Sequence, residues 1–217
     1  MDLNPDMLEY YQRRVAEYES IYHLPERQPN LDDFRARLRT HFAGRRVIDV
    51  ACGTGYWTQF IARSARSITA TDAGDTVMEA AHMKDYGTCP VEFIRANAYD
   101  LNEITGEHDA CFVGFFWSHI PKQRRAEFLT TLGRKLAPGS PVVMIDNLFV
   151  PGEMTQLHRS DDLGNTYRER RLADGSGYEI VKNYPTEHEM RQEIAPFGEF
   201  VEWRPYKYYW WVEYLTK

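Results

Sequence analysis

The stretch Val47-Ile48-Asp49-Val50-Ala51-Cys52-Gly53-Thr54-Gly55 decides the fold of this chain. An apolar run of strand length leads into a glycine-rich turn, and the segment from Tyr56 to Ala65 can then form a helix. Glycine in such a turn allows positive φ and a close approach of the backbone to a ligand, while the helix N-terminus supplies free N–H groups. The stretch therefore predicts a nucleotide-binding corner in an α/β domain.

The spacing within this stretch narrows the kind of nucleotide site. Asp49 lies four residues before Gly53, which suits the pattern acidic-x-Gly-x-Gly-x-Gly with Ala51 in the first glycine position. The dinucleotide pattern Gly-x-Gly-x-x-Gly is not met, because Thr58 stands in its third glycine position. The spacing thus argues against a nicotinamide-dependent dehydrogenase.

Strand-like and helix-like segments alternate from residue 46 onward. This alternation predicts a doubly wound, mostly parallel sheet with helices on both faces. The predicted strands and helices span residues 46–51, 56–64, 67–72, 76–83, 91–95, 108–116, 122–136 and 141–147.

The N-terminal segment reads as a helical cap over residues 1–44, before the core at 45–147. Asn4-Pro5 suits a helix start, with an apolar stripe at Met7, Tyr11, Val15, Tyr18 and Tyr22. Pro25 and Pro29 are expected to end that helix. Asn30 is then expected to cap a second helix, whose buried face carries Leu31, Phe34, Leu38 and Phe42.

The pattern changes after Asp146. Residues 166–172 and 178–184 flank Asp174-Gly175-Ser176-Gly177, which predicts a β-hairpin within an acceptor-side insertion over 148–185. Thr186-Glu-His-Glu189 is a capping box that opens a closing helix, and two strands over 200–204 and 208–215 complete the segment 186–217. The whole chain is expected to form one domain.

Composition excludes several classes of function. The net charge of −6 argues against a broad nucleic-acid interface, which needs a basic face. No apolar run reaches membrane-spanning length, and no signal-peptide pattern follows Met1. The cysteines, Cys52, Cys89 and Cys111, form no Cys-x-x-Cys pair, so we expect reduced thiols, no metal site and a cytoplasmic location.

Several segments in order resemble class I S-adenosylmethionine-dependent methyltransferases. The resemblance rests on the glycine-rich stretch, on Ser67–Asp72, on Phe93–Asp100, on His108–His119 and on the Leu136–Asp146 turn and strand. It implies a Rossmann-like seven-stranded sheet whose last strand is antiparallel, an N-terminal helical lid, S-adenosylmethionine as cofactor and S-adenosylhomocysteine as product. Asp72 would then accept hydrogen bonds from both ribose hydroxyls, because one carboxylate can serve a vicinal diol.

The same resemblance implies a set of cofactor-binding residues. Asn97 stands where the family often has an acid that binds the adenine amino group. The expected set is Asp49, Ala51, Gly53, Gly55, Asp72, Ala73, Asn97, Ala98, Phe115, Tyr11 and Tyr18.

His119, after the fourth strand, is the candidate catalytic base or substrate orienter, since histidine titrates near neutrality. It could equally cap the helix opened by Pro121. Tyrosines of the first helix could line the site or simply pack on the sheet. The expected acceptor-binding residues are Trp117, Asp146, Tyr22 and Arg168.

The hairpin carries an unusual concentration of charge. Arg168, Arg170 and Arg171 could clamp a carboxylate or phosphate of the substrate. Alternatively, the hairpin presents a solvated face, with Glu169 and Glu179 pairing across it, or it covers an edge or forms a dimer contact.

These features favour methyl transfer to oxygen or nitrogen of a small, aromatic or heteroaromatic acceptor, as in secondary metabolism. One alternative is a cofactor-binding regulatory protein without turnover; another is a different nucleoside-cofactor enzyme, such as an aminopropyl transferase. The closing segment, with Tyr206 to Tyr209 and Trp210-Trp211, could be buried or could expose an apolar patch for a homodimer.

Overall fold

The computed structural model describes residues 5–152 and 157–217. Its helices are α1 Pro5–Arg13, α2 Val15–Tyr18, α3 Gln28–His41, α4 Thr58–Ile61, α5 Asp75–His82, α6 Arg125–Lys135 and α7 Glu187–Ile194. Its strands are β1 Arg46–Val50, β2 Ser67–Asp72, β3 Val91–Arg95, β4 Ala110–Gly114, β5 Pro141–Asn147, β6 Arg159–Ser160, β7 Thr166–Arg171, β8 Gly177–Val181, β9 Gly198–Pro205 and β10 Tyr209–Thr216.

Seven strands form the main sheet, in the order β3-β2-β1-β4-β5-β10-β9. The first five in that order run parallel to one another, and Val47 of β1 lies opposite Ile68 and Ala110 in register. β10 runs antiparallel to both β5 and β9. The Rossmann-like sheet with one antiparallel strand is therefore confirmed, and the glycine-rich turn follows a central strand.

Two apolar cores form because side chains alternate between the faces of each buried strand. Ile48 and Trp210 belong to one core, and Val47 and Trp211 belong to the other. Both tryptophans are 0% exposed. The aromatic closing strand is thus buried within the domain, which removes it as an apolar patch for a homodimer.

A small second sheet, in the order β6-β7-β8, lies outside the main one. β7 and β8 form the predicted hairpin, with Arg168 opposite Ile180. The sequence did not predict β6, because a strand of two residues is too short to show alternation.

The N-terminal segment differs from its predicted form. The apolar stripe does not form one helix: α1 ends at Arg13, and α2 and two short 3₁₀ helices follow. The prediction that Asn30 caps the second helix is wrong, because α3 begins at Gln28 and takes Pro29 into its first turn, where a proline loses no hydrogen bond. Asn4 lies outside the described residues.

Other elements agree with their predicted bounds to within three residues, and the fourth helix is shorter than predicted. α4 covers only residues 58–61 of the predicted 56–64, and β4 ends at Gly114, before Phe115 turns into left-handed conformation at φ 59°. The capping box is confirmed: Thr186 Oγ1 accepts from Glu189 N at 3.2 Å, and Thr186 N donates to Glu189 Oε2 at 2.8 Å. No helix within residues 5–152 and 157–217 is long and apolar enough to cross a bilayer.

Asp49 lies under the glycine-rich turn, at the buried end of β1. It is 1% exposed, and its Oδ2 accepts a hydrogen bond from Thr58 Oγ1 at 2.6 Å. Burial raises the pKa of Asp49 to about 7, and the nearby Asp72 carboxylate contributes in the same direction. Asp49 is therefore a carboxylic acid that resists ionisation, and it lies directly beneath the glycine-rich turn.

We expect this acid to make the stability of the fold depend on pH. Because the folded pKa of Asp49 lies above its unfolded value of 3.8, its stabilising effect is present below pH 4 and is lost as pH rises to about 7. Between pH 5 and pH 8 the free energy of unfolding of the wild type should fall by about 2–3 kcal/mol more than that of Asp49→Asn.

Urea denaturation at the two pH values measures this difference. The substitution Asp162→Asn, at an exposed aspartate, is the matched control and should follow the wild type. Equal loss of stability in the wild type and in Asp49→Asn would contradict the prediction.

Candidate active site

A cleft of about 840 Å³, counting space open to solvent, lies at the carboxyl ends of β1, β2 and β4. Ligands of doubly wound sheets bind at this edge. The cleft is lined by Met7, Leu8, Tyr11, Gln12, Tyr18, Ala51, Gly53, Thr54, Thr71, Asp72, Ala73, Gly74, Val77, Ala96, Ala98, Gly114, Phe115, Phe116 and His119.

The glycine-rich turn lines one side of the cleft, and its backbone there is left-handed at three residues. Ala51, Gly53 and Gly55 have φ of 55°, 57° and 72°. Gly55 is also required by space, since a Cβ there would collide with the Tyr86 hydroxyl and approach the Ala81 Cβ to 3.1 Å. Gly55 therefore seats the turn against α5, while Ala51 and Gly53 face the cleft.

Asp72, the last residue of β2, fixes the two loops on either side of the cleft. Its Oδ2 accepts from Gly53 N at 2.9 Å and its Oδ1 accepts from Gly74 N at 2.9 Å. Burial raises its pKa, and these N–H donors oppose that rise. Each oxygen keeps a further lone pair, so this oriented carboxylate suits a ligand that offers two neighbouring hydroxyls.

The structure separates the predicted cofactor-binding residues into two groups. Those that line the cleft are Ala51, Gly53, Asp72, Ala73, Ala98, Phe115, Tyr11 and Tyr18. Asp49 lies beneath the turn, Gly55 contacts α5, and the Asn97 Oδ1 accepts from Tyr99 N at 3.0 Å within its own loop. These last three residues do not line the cleft.

Several cleft residues were missed by sequence reasoning. Val77 and Ala96 form apolar walls, and Gly74 places the second N–H donor on Asp72. Apolar residues in strands and helices look the same in sequence whether they pack in a core or face a cleft, so no local signal marked them. Gly74 was the exception, because its position two residues after the acidic end of β2 could have indicated it.

A second cavity, of about 800 Å³ counting space open to solvent, adjoins the cleft. Both are lined by Tyr11, Tyr18, Phe115 and His119, which therefore stand at their junction. The remaining lining residues of the second cavity are Arg14, Ile21, Tyr22, Arg27, Asn147, Arg168, Arg170 and Lys182.

Cationic side chains distinguish the second cavity from the first. Arg168 and Arg170 lie two residues apart on β7 and face the cavity together, whereas the intervening Glu169 forms an ion pair with the exposed Arg171 at 2.9 Å. No carboxylate lines the cavity among the residues that the structure describes. The cations of the lining are Arg14, Arg27, Arg168, Arg170 and Lys182.

Lys182 is held in place from below the cavity. Its Nζ donates to Ser118 Oγ at 2.6 Å and to Asp146 Oδ1 at 3.2 Å, and both charged residues are at least 96% buried. Burial would raise the pKa of Asp146, but the Lys182 cation and the N–H groups of Ser118 and Asn147 hold it below its usual range. The carboxylate thus fixes the lysine and keeps its own oxygens out of the cavity.

His119 has both ring nitrogens engaged. Its Nδ1 lies 2.8 Å from the Val181 carbonyl oxygen, which can only accept, so Nδ1 carries the proton. Burial, with the neighbouring Lys182 cation, lowers the pKa of His119 to about 3. The ring is therefore neutral, and its Nε2 accepts from the Tyr11 hydroxyl at 2.8 Å.

The residues predicted to bind the acceptor are likewise divided. Tyr22 and Arg168 line the second cavity. Trp117 was expected to line the cavity, but it is 0% exposed in the core, with Arg125 5.0 Å above its ring. Asp146 supports Lys182 instead of facing the cavity, since alternation turns it inward. Arg27 and Lys182 were missed, because only the tertiary fold brings them to this face.

The helical segment at the N-terminus closes the junction from outside. Tyr11 of α1 reaches His119, and Arg13 donates to the Tyr178 hydroxyl of β8 at 2.6 Å and pairs with Asp174. α1 thus bridges the main domain and the small sheet and covers both cavities.

Part of the chain is similar in sequence to known methyltransferases. Residues 47–139 match a family model described as a methyltransferase domain. A demethylmenaquinone methyltransferase of Clavibacter sepedonicus is 31% identical over 104 residues, which are 48% of this chain and 42% of that protein. A ubiquinone biosynthesis O-methyltransferase of Pseudomonas aeruginosa is 25% identical over 134 residues, 60% of this chain and 55% of that protein. The chain thus spans about half the length of the curated relatives that it matches.

Solved structures match over nearly the whole chain. A DhpI–SAH complex has a TM-score of 0.78 at 24% identity, covering 97% of this chain and 95% of that one. A DhpI–SAM–HEP complex has a TM-score of 0.76 at 22% identity, covering 98% and 96%. At this identity the likeness shows the fold. Residues 47–139 of this chain thus match a methyltransferase domain, and the chain shares the fold of these solved structures.

Proposed function

We propose that this chain transfers the methyl group of S-adenosylmethionine to a small acceptor that carries an anionic group. The observation that carries the proposal is the meeting of two cavities of opposite character at Tyr11, Tyr18, Phe115 and His119. The first has a carboxylate oriented for a diol, and the second is lined by cations.

The residues of the first cavity fit S-adenosylmethionine. Asp72 would accept the two ribose hydroxyls, and the small side chains of Ala96 and Ala98 leave a flat apolar slot for the adenine ring. The cofactor supplies an activated methyl group on a sulfonium. Tyr18 and Phe115 would surround this cation with aromatic rings at the junction, a favourable environment for positive charge.

The second cavity would bind the acceptor. Arg168, Arg170 and Lys182 present guanidinium and ammonium groups that match a carboxylate, phosphate or phosphonate. The rings of Tyr18 and Tyr22 would pack against an apolar or aromatic part of the same molecule. The proposed acceptor therefore has the aromatic ring that the sequence led us to expect and also an anionic group.

The names of similar proteins support a small-molecule acceptor without identifying one. Two curated relatives are named for menaquinone and ubiquinone biosynthesis, and one of them is named an O-methyltransferase. The structurally similar DhpI was solved in a SAM–HEP complex. Because these names differ in acceptor, the inference about the acceptor rests on the lining of the second cavity.

Positioning would supply most of the rate. Methyl transfer is an in-line displacement, so holding the two reactants at the junction and excluding water lowers the barrier. Tyr11, fixed by His119, lies over the junction as part of the cover formed by α1. His119 would then act by orienting Tyr11.

The role of Asp72 is tested by Asp72→Ala and Asp72→Asn. Loss of two charge-assisted hydrogen bonds to the ribose should raise the Kd for S-adenosylhomocysteine by about 100-fold in the alanine variant, and less in the asparagine variant. Isothermal titration calorimetry measures both constants. Asp85→Asn, at an exposed aspartate, is the control for charge, and circular dichroism checks folding. An unchanged Kd in folded Asp72→Ala would refute the assigned ribose site.

The cationic cavity is tested by Arg168→Gln and Arg170→Gln. With a carboxylate or phosphonate acceptor, each variant should raise the KM for the acceptor by about 10-fold or more while the KM for S-adenosylmethionine stays within about twofold. Arg171→Gln is the matched control, because this arginine lies on the same strand, is exposed and pairs with Glu169. Steady-state kinetics decides the matter: equal effects of all three substitutions would contradict the acceptor assignment.

A further inference from the structure

We propose that the anionic group of the acceptor is itself the nucleophile, so that the product is a methyl ester of a carboxylic, phosphonic or phosphoric acid. This inference rests on the proposed function and specifies which atom reacts. It separates this chain from enzymes that methylate a hydroxyl or an amine, where a proton must be removed.

The first argument is that the second cavity offers no group to take a proton. Its described lining contains arginines, a lysine, tyrosines, Asn147 and His119, and no carboxylate. The nearest acid, Asp146, is 0% exposed and accepts from Lys182, Ser118 N and Asn147 N. Burial lowers the pKa of Lys182, but its Nζ is already engaged with Ser118 Oγ and Asp146 Oδ1. An acceptor hydroxyl would therefore find donors around it and no free base.

The second argument concerns His119, the lining residue whose ordinary pKa suits a base. Its Nε2 is occupied by the Tyr11 hydroxyl and its Nδ1 proton by the Val181 carbonyl. Burial lowers its pKa to about 3, so the imidazole binds a proton poorly. Burial also raises the pKa of Tyr18 to about 12 and that of Tyr22 well above its usual value, which keeps both phenols protonated.

The third argument is the arrangement of the cations. Arg168, Arg170 and Lys182 converge on the cavity whose inner end meets the cofactor cleft at Tyr18 and His119. Cations at an inner wall would draw the anionic group towards the junction and keep it ionised. Lys182 lies at this inner end, because its partner Ser118 directly precedes His119 in the chain. In addition, the Val181 carbonyl, which accepts from His119 Nδ1, belongs to the residue directly before Lys182.

The step balances without an acid or base. An acceptor oxygen, already carrying a negative charge, forms a bond to the methyl carbon while the carbon–sulfur bond breaks and its electron pair passes to sulfur. The acceptor loses one negative charge and the sulfonium loses its positive charge. No proton is released, whereas methylation of a neutral hydroxyl at the same pH releases one proton for each methyl group.

The test uses 4-hydroxyphenylacetate, which offers a carboxylate and a phenol in one molecule. With enzyme in excess and S-adenosylmethionine labelled in its methyl group, the expected product is the methyl ester, identified by mass spectrometry and by its loss of label in alkali. 4-Methoxyphenylacetate and phenylphosphonate, which lack the phenol, should also be methylated. 4-Hydroxyphenylacetamide, which keeps the phenol and lacks the anion, should not.

Two further measurements show whether the anionic group of the acceptor reacts or only binds. A pH indicator in weak buffer should record no net proton release per methyl group transferred to 4-methoxyphenylacetate. Arg168→Gln should lower ester formation by about 10-fold or more, and Arg171→Gln should leave it unchanged. An alkali-stable methyl ether from 4-hydroxyphenylacetate, or one proton released per transfer, would overturn the inference.

Failure of this inference can be told apart from failure of the proposed function. Calorimetry with S-adenosylhomocysteine tests the cofactor site alone, without an acceptor. Suppose that S-adenosylhomocysteine binds but neither anion probe binds to that complex at millimolar concentration. The inference is then wrong while the cofactor assignment stands. The same conclusion follows if the probes bind and receive no label. If S-adenosylhomocysteine itself does not bind, the proposed function fails.

Discussion

The carboxylate of Asp72 is the constraint on which the site depends. It accepts hydrogen bonds from Gly53 N and Gly74 N and so ties the loop after β1 to the loop after β2. Parallel strands end at the same edge of the sheet, which brings these loops together, but only a shared acceptor fixes their relative position. The hydrogen bond from Gly53 N also helps to hold the left-handed backbone of Ala51 and Gly53. Most residues other than glycine avoid this conformation.

Charge is distributed along the site in a way that suits the proposed reaction. One end of the cleft carries Asp72, and the adjoining cavity carries Arg168, Arg170 and Lys182. Between them stand neutral aromatic groups and a neutral imidazole. A reaction that joins an anion to a methyl sulfonium cancels two charges, and a junction without charged groups of its own favours that cancellation over solvation of the separate ions.

Several expectations failed for one physical reason, which is that position in the chain does not by itself say what a side chain faces. Asp49 was expected to contact the cofactor, yet it faces inward and bonds Thr58. Trp117 was expected to wall the acceptor cavity and is buried in the core. Asp146 was expected to bind the acceptor and instead holds Lys182, a residue distant in sequence that no local pattern connected with it.

The sequence by itself determined the doubly wound sheet, the glycine-rich turn, the acidic end of β2 and the capping box of α7, because each depends on short-range periodicity or on residues close in the chain. Only the tertiary structure decided which side chains meet. The pairing of Tyr11 with His119 and the gathering of Arg14, Arg27, Arg168 and Lys182 join segments far apart in the chain. Such contacts arise from packing of one element on another, and no spacing within a single chain segment encodes them.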